Sequence, residues 1–360
     1  MSELEIKNIF FEDVEKLFDS TIQSISEQLN IDAKVIWKKL ENQQSEIIDG
    51  FDKILIDAYS ENHKFSLENF MSTHQKNQNT IVSINSNTFK QFIIFINCCH
   101  VIYHKSYDSI ETKEVSKNLK LCISIYGLIV RKSEQIVSLL IDGYIDAAMI
   151  IWRSLYENGI AIITLLKEKS DDLAKKFINH SVKNSEKKIE SYRKNHEELK
   201  FPTVPGKVDE NLKNEKKRVE DLYGKKFTKN EFGWADDLFE GNQRASLRLL
   251  EQRIDLNRYR PYYLLCSEHI HVGFNALNGY FEKDKVILPR ITKQETELKS
   301  FIDPMQFTVA LLYNVNDYFL EEVSAKHEYN INIKFLKKKS NDFINTISNI
   351  NEKDKDNGSS

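Results

Sequence analysis

Arg153 and Glu157 stand four residues apart inside the most apolar stretch of the chain, IVSLLIDGYIDAAMIIWRSLYENGIAIITLLK, residues 136–167. At 3.6 residues per turn, Asp142, Asp146, Arg153 and Glu157 fall close to one helical stripe, with apolar residues around most of the remaining circumference. A helix that is apolar nearly all round is a buried helix. Charges inside it are expensive unless they are paired. An arginine held there offers a planar donor fork for a phosphate or a carboxylate, and Glu157 is placed to orient it.

A second stretch carries the complementary chemistry: RPYYLLCSEHIHVGFNALNGYF, residues 260–281. Ser267 and His271 are four apart and share a helical face. Tyr263 precedes them by one turn, Asn275 and Asn278 extend the row, and His269 lies beside it. Histidine exchanges a proton near neutral pH without a large shift, and arginine stabilises charge growing on a phosphate. Two helices with such polar stripes satisfy them most cheaply by facing one another. The set Arg153, Glu157, Ser267 and His271, flanked by Tyr263, His269 and Asp146, fits acid–base work on a phosphate ester. It fits equally a satisfied buried network that holds two helices in register.

Two further groups invite chemistry. Cys98-Cys99-His100 with His104 places two histidines at the spacing of helical zinc ligands. No His-Glu-x-x-His pattern or second ligand pair completes it, so an ordinary partly buried helix is the expectation. The run 213–229 holds Lys213, Lys216, Lys217, Arg218, Lys225, Lys226 and Lys229, interleaved with Tyr223 and Phe227. Basic residues with aromatics can track a single strand; Glu215, Glu220 and Asp221 dilute the field toward a solvated helical face. No Gly-rich phosphate loop or nucleophile elbow is present. Neither a cofactor nor a metal is expected.

The elements that must position these residues read as helices. Only 11 Gly and 5 Pro interrupt 360 residues, which favours long helices over many-turned sheets. The net charge of −3 gives no global field toward nucleic acid or membrane. The four cysteines form no CxxC pair, and the acidic amphipathic start is not a secretory signal; a reducing cytoplasm is the expected setting. The central stretch has no uncharged run of the ~20 residues a membrane span needs.

Helical spacing recurs at Ile6, Ile9, Phe10, Val14 and Leu17, and from Ile36 to Ile56, with Asp32 as an N-cap. Residues 73–88, rich in Asn, Gln, Ser and Thr, read as a loop with a short strand at 81–84. Helices are expected at 89–104, 113–141, 171–199 and 243–254. Gly143 separates the helix ending at 141 from the central one, a short connection that argues for an antiparallel hairpin. A further helix is expected from Pro304, capped by Asp303. The fold class is all-α: a bundle around a buried central helix (136–167). The expected domains are a helical region at 1–110, the main bundle at 111–330 and a charged, disordered tail at 331–360.

RSLYENG followed by YYLLCSEHIHVG resembles an uncharacterised all-helical bacterial family, the domain of unknown function 5677 family. Arg153, Ser154, Leu155 and Glu157 match its Arg-Ser-Leu-x-Glu helix; Tyr263, Ser267 and His271 match a later Tyr-x-x-x-Ser-x-x-x-His helix. The resemblance covers roughly residues 115–325 and implies a helical bundle without naming an activity. A looser resemblance links it to HEPN-type helical bundles, some of which are metal-independent ribonucleases of toxin and phage-defence systems. Their Arg and His lie four to six residues apart on one helix. Here Arg260 is too far from His269 and Arg193 too near His196, so an Arg153/His271 site would assemble from two helices. Two functions follow as expectations. One is a ribonuclease or nucleotide-directed protein of the toxin or defence type, with RNA or a nucleotide as partner. The other is a non-catalytic interaction module that binds another protein or a second copy of itself. No membrane partner is expected in either case.

Overall fold

The computed structural model describes residues 22–23, 26–27, 30–40, 67–84, 86–112, 114–241, 243–270, 281–282, 285–286, 298–324 and 326–357. The chain divides into two compact units, residues 1–84 with 277–296, and residues 85–276 with 297–360. The expected helices around Ile6–Leu17 and Ile47–Ile56 lie outside the described residues.

In the first unit, helix α1 (Ala33–Leu40) is capped by Asp32, whose Oδ1 accepts from Lys34 N at 2.9 Å. Helix α2 (Leu67–Ile84) occupies the segment expected to be a loop with a strand. Its polar residues keep the helix by bonding their own backbone: Thr80 Oγ1 donates to Lys76 O and Ser83 Oγ to Thr80 O, both at 2.9 Å. A two-residue antiparallel pair, β1 (Phe281–Glu282) with β2 (Lys285–Val286), completes its described elements.

The second unit is an all-helical bundle. In order it holds α3 (Ser86–Thr112), α4 (Lys117–Ile141), α5 (Ile145–Glu168), α6 (Asp171–Asn179), α7 (Ser181–Asn195), α8 (Gly206–Tyr223) and α9 (Lys225–Lys229). A 3₁₀ turn at Gly233–Leu238 leads to α10 (Leu247–Arg253), and a second, Asn257–Tyr259, leads to α11 (Arg260–Glu268). Helices α12 (Leu298–Val323) and α13 (Lys326–Asn357) close the bundle.

Helix α5 is the hub, packed by α4, α6, α10, α11 and α12. Trp152, Leu155, Tyr156, Ile162, Ile163 and Leu165 are fully buried. By length and composition α5 could cross a membrane, but most of its surface lies inside the bundle. Gly159 lets α12 come close, because a Cβ there would lie 2.9 Å from Leu311 Cδ1. The central helix is shorter than expected. Gly143, at φ 81°, turns the chain, so residues 136–141 end α4 and Asp142 is its C-cap. Asp142 therefore leaves the stripe. Ser116 and Ser170 cap α4 and α6 by accepting from Leu119 N and Leu173 N.

Four other expectations are corrected. The helix expected over 171–199 is broken at His180, whose Nε2–H donates to Asn230 O at 2.9 Å. Helix α12 begins at Leu298, and Pro304 sits inside it; burial of Phe301 and Ile302 outweighs the missing backbone donor. The tail expected to be disordered forms α13. Leu336, Phe343 and Ile347 repeat at helical spacing and are buried, Phe343 with its ring 6.0 Å from Phe92 on α3. The lysines there occupy the other faces. The first domain boundary, expected near 110, falls at 84 and 85, so α3 belongs to the bundle.

Candidate functional site

The site is a seam between α5 and α11. Helix α11 starts with Pro261 in its first turn, where a missing N–H costs nothing. It buries Tyr263 and Cys266 against α5, with Cys266 Sγ 3.8 Å from Met149 Sδ. It ends at Glu268, and His269 is its C-cap. Helix α5 therefore presents Asp146, Met149, Arg153 and Glu157 along one line, and α11 answers with Tyr263, Cys266, Ser267 and His269.

Four of the expected residues close into one network. Arg153 Nη2 lies 3.1 Å from Glu157 Oε1 and donates to Tyr263 Oη at 2.5 Å. Tyr263 Oη donates to the same Glu157 oxygen at 2.9 Å. Arg153 Nε donates to Ser267 Oγ at 3.1 Å, and Ser267 Oγ donates to Tyr263 O at 2.7 Å. The Arg153 guanidinium also sits 4.7 Å from the centre of the Tyr263 ring. Burial, aided by the Glu157 charge, pushes the Tyr263 hydroxyl up to about 12, so it remains a donor at neutral pH. Arg153 is 28% exposed and Glu157 38%, so the network borders solvent.

Lys132 of α4 reaches α5 at the neighbouring Ser154. Its Nζ donates to Ser154 Oγ at 2.6 Å; burial holds its pKa below the usual lysine value, and the Glu157 charge opposes that shift. Two helical turns toward the start of α5, Asp146 Oδ1 lies 3.3 Å from His269 Nδ1. The hydrogen bond to Asp146 raises the His269 pKa, and the same bond lowers that of Asp146. A carboxylate on Nδ1 fixes the imidazole and leaves Nε2 as the group able to exchange a proton.

A second ion pair, in which only the carboxylate is buried, abuts the seam. Glu251 of α10 is 0% exposed, and its Oε1 meets Arg260 Nη1 at 3.1 Å. Its Oε2 has no hydrogen-bond partner. Burial raises the Glu251 pKa, with Arg260 opposing. The Arg260 guanidinium lies 5.0 Å from the Tyr263 ring centre, so Tyr263 is flanked by two arginines.

Of the expected residues, Arg153, Glu157, Tyr263 and Ser267 come together, and Asp146 meets His269. His271, Asn275 and Asn278 lie outside the described residues. Lys132, Arg260 and Glu251 are partners that sequence reasoning missed. Glu251 carried no signal, because half of LRLLEQRIDL is charged or polar. The His100/His104 pair resolves differently: His100 Nε2 pairs with Glu134 at 2.5 Å and its ring stacks on His104. Among the described residues, no group of three or more His, Cys, Asp or Glu is arranged to hold a metal ion. Three of the seven residues of the basic run are paired: Lys213 with Asp209, Lys216 with Glu186, and Arg218 with Glu215.

Residues 119–286 match the family described as a family of unknown function (DUF5677). The resemblance carried by the two short motifs thus holds over a segment that contains both sides of the seam. No curated protein and no solved structure matches the chain.

Proposed function

We propose that the α5–α11 seam acts on phosphodiesters and that the protein is an endoribonuclease of the toxin or defence type, working on RNA without a metal ion. The observation that carries this reading is the Asp146–His269 pair, set on the same seam as Arg153. Seven residues separate Asp146 from Arg153, about 10 Å along the helix axis. An extended phosphodiester backbone spans that distance.

RNA carries its own nucleophile. In this reading His269 Nε2 takes the proton from a ribose 2′-hydroxyl, the 2′ oxygen attacks phosphorus, and the 5′ oxygen leaves and takes up a proton from water. The product end is a 2′,3′-cyclic phosphate. Arg153 and Lys132 supply positive charge to the strand's backbone along the seam, Glu157 and Ser267 orient Arg153, and Tyr263 donates a hydrogen bond. A cytoplasmic setting accords with this substrate and with the reduced cysteines.

The test is incubation of the purified chain with total RNA, with and without chelator, beside an Arg153→Ala variant. Cleavage that survives chelator and falls at least about a hundredfold in the variant supports the reading. No cleavage by the wild-type chain overturns it. One observation favours a second reading, a non-catalytic interaction module: Arg153 Nε and Nη2 are already engaged by Ser267, Tyr263 and Glu157. Under it, Arg153→Ala lowers stability and no activity exists to lose.

A further inference from the structure

We propose that a cleft walled by α6, the end of α8, α9 and the 3₁₀ turn is a second, independent binding site, for a mononucleotide-type ligand: a planar aromatic ring carrying a sugar and phosphate. The cleft measures about 550 Å³, within the range of small-ligand sites. It does not rest on the ribonuclease reading, because it shares no residue with the seam.

The argument turns on which polar groups in the cleft are already satisfied. Lys176 Nζ lies 2.7 Å from both Asp172 Oδ2 and Asp237 Oδ2. Asp236 Oδ1 accepts from Asn230 Nδ2 at 2.6 Å and from Ala245 N at 2.7 Å, which makes it part of the wall. Two cations remain. Lys226 and Arg244 line the cleft, are exposed, and have no side-chain hydrogen bond or ion pair among the described residues. They are the cleft's free anchors for a phosphate, and arginine can hold one through two parallel hydrogen bonds.

Lys176 has the opposite surroundings. Two carboxylates share one ammonium there, leaving acceptor capacity suited to sugar hydroxyls. A nucleotide carries a partner for each set, a phosphate for the cations and hydroxyl donors for the carboxylates. The cleft also offers rings. Tyr223 stacks on buried Phe227 at 4.6 Å, and Asn179 Nδ2 donates to Tyr223 Oη at 3.0 Å, so that ring is held in place. Phe239 is a second, half-buried ring on the lining. Stacking on such rings holds a base without regard to its sequence.

The wall is built in advance. Phe227 O approaches Gly233 so closely that a Cβ there would lie 2.0 Å from it. Trp234 is buried with its ring edge-on to Phe177 at 5.0 Å. A preformed wall reduces the ordering cost of binding.

The experiment is calorimetric titration of the full chain with AMP, ADP, ATP, GTP, adenosine, pyrophosphate and a short single-stranded RNA. The titrations are repeated on a Lys226→Ala/Arg244→Ala double variant and on Phe239→Ala. The expected result is that at least one nucleotide binds better than adenosine or pyrophosphate. The double variant should weaken it at least about tenfold, as loss of charge-assisted hydrogen bonds does. Phe239→Ala should weaken it by a similar factor. Lys226 and Arg244 are exposed, so the double variant should fold, and its melting temperature checks that. Four results would overturn the proposal: no nucleotide binding up to about 1 mM, nucleotide affinity unchanged in the double variant, pyrophosphate binding as tightly as any nucleotide, or the RNA strand displacing nucleotide as the preferred ligand.

Discussion

The α5–α11 seam and the α6–α9 cleft treat their charged residues in opposite ways. In the seam, a guanidinium, a carboxylate, a phenol and a hydroxyl satisfy one another within 3.1 Å, at the border of solvent. In the cleft, the acids are tied to Lys176 and to the wall, and two cations stand without partners among the described residues. Deleting a seam residue should strand a neighbour. Deleting a cleft cation should strand nothing. Stability and ligand affinity therefore separate the two regions.

The largest effect is expected at the cleft wall, not at its charges. Gly233→Ala forces a Cβ against Phe227 O, a backbone atom that cannot swing aside. The expected loss is about 3 kcal/mol or more, read by urea denaturation. Next comes the buried carboxylate beside the seam. Arg260→Ala leaves the Glu251 carboxylate in an environment with no exposure, at a cost of about 3 kcal/mol at pH 8. The Glu251 pKa is already raised by burial, and losing Arg260 raises it further. Protonation as pH falls then relieves the buried charge, so the variant should recover much of the loss near pH 5. A deficit independent of pH would mean that Glu251 is not the stranded group.

These two effects also mark what the sequence made legible. The charged stripes were visible because Arg153 and Glu157 interrupt an apolar run, and Tyr263 and Ser267 fall on one helical face. The all-α class was legible from helical spacing and scarce glycine and proline. The partners Lys132, Arg260 and Glu251 were not, because each pairs across a turn onto the next helix, Lys132 with Ser154 and Glu251 with Arg260 nine residues on, where no shared helical face marks the pair. Residues 73–84 misled because Thr80 and Ser83 bond back to their own helix instead of breaking it. The tail misled because its lysines outnumber the three apolar residues that dock it. The turn at Gly143 was read correctly, but the central stretch was still drawn through it, which placed Asp142 on the wrong helix.

The seam itself sharpens the comparison. Arg153→Ala should cost about 2 kcal/mol, below the fully buried case because Arg153 and Glu157 keep some solvent. Arg244→Ala, at an exposed position, should stay within about 0.5 kcal/mol. Equal losses in thermal denaturation of the two variants would erase the distinction between the regions.

A small, pH-dependent effect is expected for Asp146 and His269. The raised His269 pKa contributes stability that is full below about pH 6.5 and is lost as pH rises through the folded value. The lowered Asp146 pKa contributes stability that is present above about pH 4 and is lost as pH falls through its folded value. A double-mutant cycle on this pair should therefore show coupling between about pH 4 and 6.5. The coupling should remain below about 1 kcal/mol, because Asp146 is 69% exposed.

RNA cleavage by His269→Gln, with the melting temperature measured on the same preparation, tests the central claim most directly. Glutamine can still donate a hydrogen bond to Asp146 but cannot exchange the proton. The expected result is a fall in cleavage of about a hundredfold or more with a melting temperature within about 2 °C of wild type. Cleavage by His269→Gln at the wild-type rate would contradict the account.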